Sequence, residues 1–244
     1  MEALLAGDID LAVHSAKDLP VVPAEGIVIG AVPSREDPRD AVVARDKLTL
    51  AELPKGALVG TGSPRRAAQL RALGLDLSVV PVRGNVDTRL AHVGGDTSMR
   101  WCWPSPDSVG WERLRRDPPR SSTRRASSRP PRKRALAVEC RADDLAAREV
   151  LAAFDDAGAR ACITAERALL ASLEAGCSAP IGALAEIHAD PAELTLTAVV
   201  TAADGSDAVR RTLTGVVTDP AGVGRRLAAD LIASGADKMM GSSS

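Results

Sequence analysis

The chain has 244 residues, 45% of them hydrophobic and 26% charged, with a formal net charge of -1, which suits one large or two modest globular domains and excludes a disordered polymer. No apolar run reaches the roughly 18 residues of a bilayer span, and residues 1–8 lack the basic start and cleavage site of a signal peptide, so a cytoplasmic protein with no membrane contact is expected. Cys102, Cys140, Cys162 and Cys177 stand far apart, with no CxxC pair and no His cluster, which excludes a disulfide scaffold and a zinc site.

In chain order, residues 9–14 read as a strand entering a polar loop, and residues 26–32 as a second strand stopped by Pro33. From Pro38 strand and helix alternate: strand 41–44, helix 49–53, strand 57–60, helix 65–73, strand 77–82 and helix 86–92. That alternation predicts a parallel α/β sheet with ligand loops at the strand C-terminal ends. Residues 100–134 break the pattern. They hold ten Arg, one Lys, all three Trp and six of the sixteen Pro, and carry a net +8, which leaves -9 for the rest of the chain. Composition alone reads this stretch as a basic arm of the kind that neutralises phosphates. Residues 143–154 and 160–175 then read as amphipathic helices. Residues 194–201 and 208–215 alternate with period 2 about Asp204-Gly205, as a hairpin does, and 223–233 make a closing helix. The last third is therefore a small α+β unit with a frayed tail from Met239, and Cys140 and Cys162 are read as structural residues in apolar surroundings.

Four loops hold residue types suited to chemistry. His14-Ser15-Ala16-Lys17-Asp18 follows a strand and places a carboxylate beside an ammonium, an acid/base pairing; taken alone, the loop is read first as a solvated turn stopped by Pro20. Gly60-Thr61-Gly62-Ser63-Pro64-Arg65-Arg66 joins a strand end to a helix start, offering free N–H groups and two guanidinium forks to an anion, without the GxxxxGK[ST] spacing of a nucleotide loop. Val82-Arg83-Gly84-Asn85 repeats that logic in the next unit, with Arg89 further along. Together the two loops suit a ligand with several carboxylates, their arginines lying at loop ends with little burial expected. Gly176-Cys177-Ser178-Ala179-Pro180-Ile181-Gly182 sets a cysteine on a small-residue turn, a poor packing choice and a good attachment point.

The segments DLAVHSAKDLP, GTGSPRRAAQLRAL, RGNVDTRL, ALAVECR and AERALLASLEAGCSAPIGALA, in that order, resemble hydroxymethylbilane synthase, the porphobilinogen deaminase family. The resemblance implies an α/β protein of two periplasmic-binding-protein-like lobes plus a small C-terminal α+β domain. Residues 1–33 and 135–152 would be the remnant of domain 1, residues 34–134 domain 2, and residues 153–244 the cofactor-attachment domain. It implies a transferase that joins four porphobilinogens head to tail on a dipyrromethane cofactor, held by a thioether to Cys177, releasing ammonia and a linear tetrapyrrole. It assigns catalysis to Asp18 with Lys17, and places Ser15 beside them. Arg65, Arg66, Arg83 and Arg89 would bind acetate and propionate groups, helped by Thr61 and Ser63. A monomer with porphobilinogen as its partner and no nucleic acid is expected. The rival is a non-catalytic carboxylate-binding protein of the same two-lobed fold.

Two departures accompany the resemblance. The family begins with a strand and an anion loop upstream of the residues matched here, so the first lobe is expected to lack its opening βα unit. The basic stretch also stands where an apolar strand, AVAGLxRLG and PAPAQG belong. Met99-Arg100-Trp101-Cys102-Trp103-Pro104, read one base earlier with Arg100 as CGN, gives [Asn/Asp/His/Tyr]-Ala-[Leu/Met/Val]-Val-Leu-Ala, close to the family's DAVVLA. The same shift allows Val-Ala-Gly-Leu-Gly-Arg-Leu-Gly from Ser105 to Glu112 and Pro-Ala-Pro-Ala-Gln-Ala from Arg129 to Arg134. A frameshifted reading over about residues 93–134 is therefore expected, with poor order there and impaired activity.

Overall fold

The computed structural model describes residues 1–20, 24–35, 40–44, 48–84, 86–94, 100–104, 135–174, 179–188 and 192–240. Its strands are β1 (Ala12–Ser15), β2 (Ile27–Ala31), β3 (Asp40–Val43), β4 (Leu58–Gly60), β5 (Ser78–Val80), β6 (Arg100–Pro104), β7 (Leu136–Arg141), β8 (Ile181–Ile187), β9 (Glu193–Thr201) and β10 (Ala208–Val216). Its helices are α1 (Glu2–Ala6), α2 (Pro64–Ala72), α3 (Val86–Gly94), α4 (Leu145–Ala152), α5 (Ala157–Ser172), α6 (Pro220–Ala233) and α7 (Ala236–Met240). The fold is mixed α/β, with the strands divided among three sheets.

The first sheet has the order β1-β7-β2 and is antiparallel throughout, with Ala12 opposite Glu139 and Ile27 opposite Arg141. The sequence leaves the direction of these strands open. Short apolar runs mark strands but carry no information about direction, and β7 returns from more than a hundred residues away to lie between two earlier strands. The second sheet, β3-β6-β4-β5, is mixed: β4 is parallel to both β5 and β6, while β3 runs against β6. The parallel reading thus holds for three of its four strands. Residues 49–53, expected as a helix, make only a 3₁₀ turn, Leu50–Glu52, closed by a capping box in which Thr49 and Glu52 satisfy each other's backbone. Residues 100–104, expected to lack regular structure, form β6.

The third sheet is the antiparallel β10-β9-β8. Leu194, Leu196, Ala198 and Val200 of β9 are fully buried against α5 and α6, while the other face carries a hydroxyl ladder, Thr195 to Thr214 at 2.8 Å and Thr197 to Thr212 at 3.0 Å. The period-2 alternation of this hairpin is its packing pattern. Cys140 and Cys162 are both buried, as their apolar surroundings suggested. Burial pushes the Cys162 thiol up to about 11, with the Glu166 charge adding to the effect.

Helix α5 joins the sheets. Asp156 caps it, accepting the Ala159 N–H at 2.8 Å. Ala159 and Ile163 pack on the first sheet with Ala16, Val32 and Ala137, while Ala165, Leu169, Leu170 and Leu173 pack on the third. Between these stripes lies Glu166, with no exposed surface. One carboxylate oxygen accepts from Arg35 at 2.6 Å and from the Ala185 N–H at 2.8 Å, so the carboxylate ties the segment after β2 to β8. Removing one partner of so buried a pair strands the other's charge. Glu166→Ala is therefore expected to lower the unfolding free energy by about 3–5 kcal/mol in a urea titration; a loss of only a few tenths would mean that Arg35 reaches water on its own.

Candidate functional site

β4 and β5 pair in parallel from Leu58–Ser78 to Gly60–Val80, so both chains leave the sheet at the same edge. The ladder continues into the loops: the Thr61 N–H donates to the Val80 carbonyl at 3.0 Å, and the Val82 N–H donates to the Thr61 carbonyl at 3.4 Å. Glycine at position 62 permits this approach, because a Cβ there would stand 2.7 Å from the Val82 carbonyl oxygen and 3.9 Å from Nη2 of Arg89. The Thr61 side chain is buried in the turn, where its Oγ1 accepts the Ser63 N–H at 3.2 Å. Ser63 caps α2, its Oγ accepting the Arg66 N–H at 3.4 Å, and Pro64 takes the first helical position, where no N–H is needed.

A cavity of about 390 Å³ opens at this edge. Thr61, Gly62 and Ser63 line it from the first loop, Pro81 and Arg83 from the second, with Val79 and Val80 behind them. Arg83 is exposed, as a loop end suggests. Arg65 is not: it is 4% exposed and its Nη1 donates to Oε1 of Gln69 at 2.9 Å, which corrects the expectation of little burial, because the first turn of α2 folds that side chain along the helix. Arg66 and Arg89 are half-buried and are not among the residues that line the cavity. Arg71, Pro180 and Ala203 are among the lining residues not anticipated as part of the site. Arg71, from the last turn of α2, lies two helical repeats beyond Ser63 on the same face, a spacing legible in the sequence. Pro180 and Ala203 come from the C-terminal unit and carry no chemistry that would have marked them.

Cys177 lies outside the described residues. Pro180, only three positions later, is a wall of the cavity, and three extended residues reach at most about 11 Å.

The Asp18 loop belongs to the first sheet. β1 runs into a 3₁₀ turn, Ala16–Asp18, pinned where the Ala16 N–H donates to the Ala135 carbonyl at 2.8 Å and anchored by the buried Ala16 and Leu19. Ser15 is half-buried and Asp18 exposed, while the Lys17 side chain is not among those described. Just before the turn, Nε2 of His14 stands 3.2 Å from the buried Glu139 carboxylate. From α5, burial holds the Arg167 guanidinium below its ordinary value against the pull of the Glu139 charge. The structure thus brings Thr61, Ser63 and Arg83 to one cavity and keeps Ser15 and Asp18 on another sheet. Among the described residues no group of three His, Cys, Asp or Glu side chains could hold a metal, and no helix is long and apolar enough to cross a membrane.

Gly62→Ala is expected to force the two loops apart, since the clash is with backbone. Denaturant unfolding should show a loss of about 1–3 kcal/mol; unchanged stability would mean that the loops separate at no cost.

The family described as porphobilinogen deaminase, dipyromethane cofactor binding domain, matches residues 1–149, and the porphobilinogen deaminase C-terminal domain matches residues 160–233. Curated porphobilinogen deaminases are similar along almost the whole chain. That of Acidothermus cellulolyticus is 49% identical over 246 residues, 98% of this chain and 72% of the relative. The Nocardia farcinica protein is 48% identical over 252 residues, with 98% and 71% covered, and the Mycobacterium tuberculosis protein 50% identical over 249 residues, with 98% and 79% covered. Matches of that extent, on the sheet edge and the C-terminal unit alike, show that the chain belongs to the porphobilinogen deaminase family.

Proposed function

We propose that the cavity between the β4 and β5 loops holds the carboxylate side chains of a pyrrole chain anchored at Cys177, and that Asp18 manages protons on the facing lobe. The observation that carries this reading is the lining itself: hydroxyls from Thr61 and Ser63 and the Arg83 guanidinium, set among proline, valine and alanine walls that include Pro180, three positions after Cys177 in the sequence. Apolar walls suit the faces of a pyrrole ring, and the guanidinium fork suits its carboxylates. The residues present therefore fit a dipyrromethane.

When bound, that group supplies the pyrrole carbon to which porphobilinogen units are added. Arg83, with Thr61 and Ser63, holds carboxylates and fixes the ring position. Arg65, Arg66 and Arg89 add positive charge around the loops, and the buried Arg65 braces the first turn of α2 through Gln69. Asp18, with Ser15 and Lys17 beside it, stabilises the cation left when porphobilinogen loses its amine and accepts the proton released as the new carbon–carbon bond forms. The first sheet is read as part of one periplasmic-binding-protein-like lobe (residues 1–33 and 135–152), residues 34–134 as the second lobe, and residues 153–244 as the attachment domain, in a monomeric cytoplasmic enzyme.

Residues 93–134 are read as frameshifted. The register of β6 supports this: position 100 pairs with the fully buried Val59 and position 102 with the buried Val42. A strand between two others in a covered sheet favours a continuous apolar run, and proline weakens it. Read one base earlier, positions 100–104 give Ala-[Leu/Met/Val]-Val-Leu-Ala, which supplies that run. The nucleotide sequence of codons 90–135 tests it; an Arg100 codon other than CGN would overturn it.

In the frame-restored protein, intact-mass measurement should show a two-pyrrole adduct that is absent from Cys177→Ser. An adduct that persists there, or maps to Cys140 or Cys162, would sink the attachment site.

Asp18→Asn should fold and keep the adduct while turnover falls at least ~100-fold. Release of ammonia from porphobilinogen at the parent rate in a single turnover would make the carboxylate structural.

A further inference from the structure

We infer that Arg71 is a further carboxylate-binding residue of this site, holding the pyrrole chain from the end of the α2 face opposite the Ser63 loop. The inference rests on the carboxylate-binding reading above and extends it to a residue outside the motif loops. Ser63, Ala67 and Arg71 follow one another at i, i+4 spacing and all line the cavity, which therefore runs along the helix for about 12 Å at 1.5 Å per residue. A cavity that long, with a guanidinium toward each end and apolar walls between, suits a carboxylate-bearing aromatic chain better than a single small anion.

The position of Arg71 is built rather than incidental. The β9–β10 turn sits on the last two turns of α2: Gly205, at φ 81°, has no room for a side chain, because a Cβ there would stand 2.6 Å from the Arg71 Cβ, 2.7 Å from the Ala72 nitrogen and 2.9 Å from the Ala68 carbonyl oxygen. From that contact Nη1 of Arg71 donates to the Ala203 carbonyl at 2.9 Å. One bond of five possible N–H donations orients the fork and leaves the others for a ligand. The nearby acid is Asp204. Its carboxylate accepts the Ser206 N–H at 2.9 Å and the Ser206 hydroxyl at 2.7 Å. Those bonds hold its pKa low, with the Arg71 charge contributing. Asp204 thus competes with a ligand for Arg71 through space, while its own hydrogen bonds go to the turn. Since Ala203 and Pro180 both belong to the C-terminal unit, a ligand on Arg71 would bridge α2 and the unit that carries Cys177.

Isothermal titration of the full chain with porphobilinogen tests this, alongside 2-(aminomethyl)pyrrole, the same ring without carboxylates. Arg71→Met should weaken porphobilinogen binding at least ~10-fold, as expected for one charge-assisted hydrogen bond, and leave the carboxylate-free pyrrole unchanged. Arg71→Lys should recover part of the loss. Porphobilinogen binding equal to the parent's in Arg71→Met would overturn the proposal. So would equal losses for both pyrroles accompanied by a lower melting temperature, the mark of a strut between α2 and the hairpin. If the parent and Arg83→Ala alike bind no porphobilinogen, the reading of the whole cavity falls, and Arg71 with it.

Discussion

The buried carboxylate of Glu166 is the constraint on which the arrangement of sheets depends. A charge with no exposed surface survives only if its lone pairs are filled, and here they are filled from two directions, by Arg35 after β2 and by the Ala185 amide of β8. Because α5 shares its apolar residues between two cores, the first sheet cannot move relative to the third without uncovering one of them. A second tie lies at the helix start, where Asp155 accepts the Val32 N–H and the Arg160 Nε, both at 2.7 Å, and Arg160 also donates to the Ile29 and Gly30 carbonyls. Burial pushes the Asp155 carboxyl up, but the Arg160 and Val32 bonds outweigh it and leave it below its ordinary value. That tie therefore contributes above the ordinary carboxylate range and is lost as pH falls through the depressed value.

The second sheet is held differently, and that difference suits a site. Its core lies between β3, β4, β5 and the segments around them, and among the described contacts it meets the C-terminal unit through the hairpin turn on α2. A turn seated on one helix is a small contact beside the shared core of α5. The cavity lies at that small contact, where walls from two units meet. A ligand that gains or loses rings needs walls able to separate, and a junction of limited area permits that more readily than a continuous core.

Residues with a local physical signature were legible in the sequence. Ser63-Pro64 announces a helix start through an acceptor side chain followed by a residue with no N–H to satisfy, and α2 begins there. Asp204-Gly205 announces a hairpin because the turn needs a positive φ, and Gly205 supplies it. What depends on distant partners was not legible, and the direction of β7 between β1 and β2 is fixed by the path of the chain. β8 was hidden because its first residues, Ile181-Gly182, read as the end of the cysteine turn. Arg71 carried a visible spacing from Ser63, but only the hairpin contact, far away in sequence, gives the spacing a meaning.

β6 shows how far backbone demand overrides side-chain preference. β3 and β4 each present a row of N–H and C=O groups toward the space between them, and an unpaired row inside a covered sheet is costly. The strand in that space answers two different requirements at once, antiparallel to β3 and parallel to β4, and the peptide groups of any residue but proline can meet them. The side chains answer to something else. Val59 and Val42, the register neighbours of positions 100 and 102, are buried, so those positions favour apolar residues, whereas the chain as written has Arg100 at one and a proline at the strand end. Hydrogen-bond geometry therefore selects a strand, and burial selects a composition that the written sequence does not have. The change of reading frame proposed above would satisfy both, because it would alter every side chain while leaving the length of backbone in the slot unchanged.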